Sequence, residues 1–127
     1  MWAAASACCH AHGVDLDRAL LRTPLSPGLA QADACYLPFP PASFDCLTAT
    51  NLLFLLEEPL CALREWVRVL KPGSGICLLN WAGYAEQHAR WTEAETRDLF
   101  SKAGLELVES LLRVGPGFAG FARGRLH

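Results

Sequence analysis

The stretch from Asp33 to Asn80 leaves this chain few folds to choose from. Phe44–Leu56 is nearly apolar, carrying Cys46, Leu47, Leu52, Leu53 and Phe54 between a proline-rich loop and Glu57-Glu58-Pro59. Such a run predicts a strand in a sheet covered on both faces. The period then changes. Leu60, Leu63, Val67 and Leu70 recur at helical spacing, with Arg64, Glu65 and Arg68 on the other side. Pro59 suits a first helical turn, and the two glutamates before it favour the positive end of the helix dipole. Pro72 disfavours helix at Lys71, and Gly73 and Gly75 permit a tight turn into Ile76–Asn80. Strand, helix and strand at these lengths form a βαβ crossover, parallel and right-handed.

Leu37-Pro38-Phe39, Ser43-Phe44-Asp45, Arg64-Glu65 and Arg68-Val69-Leu70-Lys71-Pro72-Gly73 follow one another through this stretch. In that order and at those spacings they resemble the run carried by class I S-adenosylmethionine-dependent methyltransferases of the type 11 group. Ser74 departs from the second glycine usual there, which a short turn tolerates. The resemblance implies a Rossmann-like, doubly wound α/β fold, with a mostly parallel sheet and a C-terminal antiparallel hairpin. It implies S-adenosyl-L-methionine as cofactor and a small-molecule methyl acceptor of unspecified identity.

From the N-terminus, Trp2–His12 is Ala-rich and predicts a helix ending at Gly13. Gly13–Asp17 predicts a short strand closing on two acids. In the resembling family this segment is the second strand, whose terminal acid accepts hydrogen bonds from both ribose hydroxyls of the cofactor. Asp15 matches that position best, with Leu16 beside it in the cofactor contact. A carboxylate suits a vicinal diol, having two acceptor oxygens for two donors. Asp17 is the alternative, or else the N-cap of a brief helix over Arg18–Arg22. Leu29–Ala32 predicts the family's third strand. Asp33-Ala34 then stands where the family turns an acid toward the adenine amino group and a backbone amide toward a ring nitrogen. The plainer role for Asp33 is to cap the following turn.

Asn51 falls near the carboxyl end of the fourth-strand segment, facing the methionine part of the cofactor or the acceptor, or else satisfying a strand-end backbone group. Trp81–Trp91 borders the acceptor pocket in the resembling fold. His88 within it is a candidate general base, or simply an exposed loop residue. Thr92-Glu93-Ala94-Glu95 reads as a capping box, followed by the stripe Thr96, Leu99, Phe100 and Ala103 and a stop at Gly104. Leu105–Arg113 and Phe118–Arg123 predict the closing hairpin. Methyl transfer from a sulfonium is an in-line displacement of a good leaving group, so the protein mainly positions the reactants. No catalytic residue is assigned on sequence.

The family's most specific motif, an acid-ended first strand followed by a glycine-rich loop, has no counterpart here: Gly13 is the only glycine before Gly28. The expectation is therefore a single, incomplete methyltransferase-like domain over residues 1–127, lacking the first strand, and weakly active or inactive as this chain. In the family order 3-2-1-4-5-7-6 that strand is central. Its loss would leave two parallel edges whose unpaired backbone groups cost about 1–3 kcal/mol each if kept dry. Strands two and four could close on each other, the N-terminal segment could fill the slot, a second copy could cover the edge as a homodimer, or the chain could fold poorly. A methyltransferase-fold remnant serving as a binding or dimerisation module is the alternative function.

Composition narrows the remaining classes. A length of 127 residues and 52% apolar content argue for a packed globule, and a net charge of −2 gives no electrostatic case for nucleic acid. No run of eighteen apolar residues supports a membrane span. Six cysteines without paired spacing do not suit a disulfide scaffold, and a reducing cytoplasm is the expected location. Cys46 and Cys77 fall in strands predicted to be buried. Cys8-Cys9-His10-Ala11-His12 gathers metal-type ligands, but adjacent cysteines and i,i+2 histidines on a helix point to different faces, so no metal site is assigned.

Overall fold

The computed structural model describes residues 10–17, 28–50, 52–53, 56–80, 93–112 and 120–126. The chain divides into two compact units, Met1–Pro38 and Phe39–His127.

In the first unit, β1 (Gly13–Asp15) and β2 (Leu29–Gln31) pair in parallel, with Gly13 opposite Leu29 and Asp15 opposite Gln31. Gly13 N–H donates to the Gly28 carbonyl and Ala32 N–H to the Asp15 carbonyl, so the ladder extends one bond beyond each end of the pair. The helix expected up to His12 does not reach that far, since His10–His12 are irregular. The Ala11 carbonyl passes so close to Gly28 that a Cβ on Gly28 would stand 2.6 Å from it. Residues 1–9 and the helix expected over Arg18–Arg22 lie outside the described residues.

The second unit holds β3 (Phe44–Thr50), α1 (Pro59–Val69), β4 (Leu70–Asn80), α2 (Glu93–Ala103), β5 (Leu105–Leu112) and β6 (Gly120–Leu126). Its sheet runs β3-β4-β6-β5, with β3 parallel to β4 and the other two junctions antiparallel. The expected crossover and closing hairpin are both present. The turn after α1 is drawn into β4 as an irregularity: Phe44 faces Leu70 while Cys46 faces Gly75, so Lys71–Ser74 bulge out between them. Gly73 supplies the left-handed conformation there, at φ 81°.

Four expectations need correction. β3 stops at Thr50 rather than Leu56, because its partner β4 ends at Asn80 and the pairing at Thr50↔Leu79; Leu53, 3% exposed, is buried after the strand instead. α1 ends at Val69, making Leu70 a strand residue, and buries Ala62, Leu63, Trp66 and Val69, while Val67 is half-buried. β6 runs Gly120–Leu126 rather than Phe118–Arg123, drawn onward by pairing of Arg125 with both Gly75 and Glu106. Among the described residues, finally, the sheet buries one face and exposes side chains on the other. Leu47, Ile76, Gly124 and Leu107 form one row across all four strands by register, with Ile76, Gly124 and Leu107 buried beneath the two helices. The next row belongs to the opposite face, where Cys46, Thr48, Arg123, Arg125 and Glu106 are exposed and Cys77 is half-buried.

The core follows from this one-sided packing. Leu63, Val69, Ile76 and Phe100 are the largest fully buried side chains. Burying each is worth about 1.5–3 kcal/mol. Gly104, at φ 85°, stops α2 as expected, with its N–H donating to Ser101. Glu65 and Arg68 form a two-bond fork at 2.8 and 2.6 Å along α1.

Candidate cofactor site

The parallel pairing of β1 and β2 brings their carboxyl ends to one edge. Asp15 is the last residue of β1, and Asp33 lies two residues past Gln31, its strand partner. Each acid first organises its own turn. Asp15 Oδ1 accepts from the Asp17 amide and Asp33 Oδ1 from the Cys35 amide, both at 2.9 Å. These are Asx turns, so the plainer role considered for Asp33 is real. One oxygen of each carboxylate is spent this way, and the other has no protein partner among the described residues. Asp33 is exposed and Asp15 half-buried.

A residue that sequence reasoning missed joins the two turns. Gln31 Nε2 donates to the Leu16 carbonyl at 3.0 Å, across fifteen residues of chain. Nothing in the local pattern marks Gln31, since only the register of a parallel pair brings it beside Leu16. Leu16 is 70% exposed and Tyr36 is 74% exposed, so the same loop region carries two large apolar side chains facing solvent. Ala34 is half-buried beside Asp33. Asp17 donates its backbone amide to Asp15. Asn51, His88, the Trp81–Trp91 loop and Thr92 lie outside the described residues.

The donor set fits the adenosine part of S-adenosylmethionine. Two carboxylate oxygens available at the strand ends can accept from hydroxyl or amino donors, and the exposed apolar side chain of Leu16 offers a surface for a heterocycle. No helix among the described residues is long and apolar enough to cross a membrane.

Parallel strands ending in acids, with a βαβ crossover and an antiparallel hairpin, define the Rossmann-like class of α/β proteins, which take ligands at the carboxyl ends of their strands. Within that class, the family model of the methyltransferase domain, type 11, matches residues 1–78, and the chain belongs to that family. S-adenosylmethionine is the cofactor of the family. Among curated proteins, the ubiquinone/menaquinone biosynthesis C-methyltransferase UbiE of Cellvibrio japonicus is 44% identical over 52 residues, 41% of this chain and 21% of that protein. The match thus spans about a fifth of the relative's length.

A solved S-adenosylmethionine-dependent methyltransferase from Methanosarcina mazei superposes with a TM-score of 0.69 at 18% identity, covering 91% of this chain and 81% of that one. A structure described as the complex of the Haloferax volcanii Trm112 methyltransferase activator with a methyltransferase gives 0.64 at 19% identity, over 77% and 60% of the two chains. At these identities the likeness is one of fold. The sheet orders β2-β1 and β3-β4-β6-β5 each correspond to a run within the order 3-2-1-4-5-7-6 that the resemblance implies.

Proposed function

We propose that residues 1–127 form one methyltransferase-like domain that holds the adenosine half of S-adenosylmethionine through Asp15, Leu16, Asp33 and Ala34. The family match across residues 1–78, which reaches into both units, supports the single-domain reading. The observation that carries the site is the pair of Asx turns at one end of the β1–β2 ladder, each leaving one carboxylate oxygen open.

When bound, the cofactor supplies an electrophilic methyl group on a positively charged sulfur. The residues of this chain bind and orient it. Asp15 accepts from the ribose hydroxyls, Asp33 accepts from the adenine amino group, Leu16 lies against the base, and the Ala34 amide meets a ring nitrogen. Asn51, the residue after Thr50 in the sequence, is assigned to the methionine or acceptor side. None of these steps needs a proton to move, so no catalytic acid or base is assigned.

The acceptor is a small molecule. The similarity to C-methyltransferases of ubiquinone and menaquinone synthesis makes a quinone-type ring the first class to assay. A reducing, cytoplasmic location fits Cys46, Cys61 and Cys77, which are free thiols.

The test is calorimetric titration of the folded chain with S-adenosylhomocysteine. Binding should be measurable and should weaken about tenfold or more on Asp15→Ala or Asp33→Ala, as loss of a hydrogen bond to a charged group implies. No heat from a chain shown to be folded would refute the reading.

A second reading, a binding or dimerisation module, draws on the exposed Cys46, Thr48, Arg123 and Arg125 of one sheet face and on β3 ending the strand order among the described residues. Parallel edges are ordinarily covered. A homodimer covering β3 would appear as a doubled mass in light scattering, and a monomer at high micromolar concentration would remove it.

A further inference from the structure

The face of the four-stranded sheet opposite the buried row carries two thiols on neighbouring strands. Cys46 on β3 faces Gly75, and Thr48, two residues on, faces Cys77 on β4. Residues two apart on a strand share a face, so Cys46 and Cys77 stand diagonally across the β3–β4 junction on the same side. Cys46 is exposed, Cys77 is half-buried, and both are free thiols. The Cys77 thiol is pushed up by burial first and by Cys46 second. Arg123 on β6 faces Cys77 across the next junction and is exposed on that face.

This spacing favours one kind of bridge over another. In a parallel pair, two residues of rise at about 3.3 Å each and one strand spacing of about 4.8 Å put diagonal positions roughly 8 Å apart at Cα. A disulfide needs Cα atoms within about 6.8 Å, so a direct bond would require the strands to shift. A metal ion between two thiolates spans more. Two metal–sulfur bonds of about 2.3 Å in line separate the sulfurs by about 4.6 Å. Zinc requires four ligands, and among the described residues no group of three or more His, Cys, Asp or Glu side chains gathers to hold a metal. A soft monovalent ion that accepts two thiolates in line does not need them.

We propose that Cys46 and Cys77 form a two-coordinate site for a soft d10 cation of the Cu(I) class, on the face of the sheet that exposes Cys46. Binding converts two thiols and one Cu(I) into a bis-thiolate complex of charge −1 and releases two protons, with no change of oxidation state. Arg123 lies beside the complex to offset its charge.

The test uses the full chain with Cys8→Ser and Cys9→Ser, which leaves the four described cysteines. Anaerobic Cu(I) is titrated against the chromophoric competitor bicinchoninate. One equivalent should bind. It should be lost in Cys46→Ser and in Cys77→Ser, and kept in Cys35→Ser and Cys61→Ser. X-ray absorption should show two sulfur ligands and no third. Retention of the equivalent in either Cys46→Ser or Cys77→Ser, or a three-ligand spectrum, would overturn the site. So would failure of the parent chain to bind. Should a serine variant fail to fold, iodoacetamide footprinting of the parent chain decides instead: Cu(I) must shield Cys46 and Cys77 together, and an unchanged labelling rate at either refutes the proposal.

Discussion

Gln31 Nε2 donates to the carbonyl of Leu16 at 3.0 Å and so ties the turn after β1 to the last residue of β2. The bond acts on the backbone between Asp15 and Asp17, the turn that aims the Asp15 carboxylate. Gln31→Ala should weaken S-adenosylhomocysteine binding about two- to tenfold, the worth of one net hydrogen bond. Gln31 is exposed, so the melting temperature should hardly move. Calorimetric titration beside a thermal melt separates the two effects, and an equal loss of both would show a merely structural role.

Gly124 sits where α2 crosses the sheet. A Cβ there would stand 2.8 Å from Phe100 Cε2 and 3.0 Å from Ile76 Cγ2. Phe100 and Ile76 are both fully buried, so neither can swing away freely. Gly124→Ala should destabilise the chain by about 1–3 kcal/mol through overpacking, read from the midpoint of urea unfolding.

Ser74 occupies the position where the resembling run carries a second glycine. It is 8% exposed, and its hydroxyl donates to the Phe44 carbonyl at 3.3 Å, closing the bulge between β3 and β4. Ser74→Ala should cost about 1 kcal/mol in the same measurement. A neutral result would mean that the backbone pairing alone holds the bulge.

The Cys77 thiol is pushed up by burial first and by the neighbouring Cys46 second, with Arg123 acting against them. Its carbamidomethylation rate, followed by mass spectrometry, should go on rising as pH passes the ordinary thiol range of about 8.5. The same shift contributes stability that is complete below the unfolded thiol's pKa and is lost as pH rises through the folded one. A rate already level at pH 9 would contradict the shift.

Much of this fold was legible because its signals are local. Pro59 opens α1, Gly104 ends α2, and the stripe Leu99, Phe100, Ala103 is buried as its spacing implies. The same reasoning overran the end of β3. Leu52 and Leu53 continue an apolar run, and composition does not distinguish a buried strand residue from a buried residue just past a strand. It also placed Val67 toward the core where Trp66 and Val69 are buried, because leucine spacing marks a face only to within about one position. At the site, Asp15 and Asp33 were identified through a family resemblance, and their Asx turns follow from residue type. Gln31 was not legible, since its partner lies fifteen residues away.

The sequence by itself determined the kinds of element, their order, the parallel crossover and the two acids at strand ends. Each of these rests on periodicity, on proline and glycine geometry, or on a motif read within a few residues. Tertiary structure alone decided the register that sets Asp15 against Gln31 and Cys46 diagonal to Cys77, and which face of the sheet is buried. Register and coverage depend on which distant segments meet. A slip of one residue would exchange the buried row Ile76, Gly124, Leu107 for the exposed one, and only the packed assembly chooses between them.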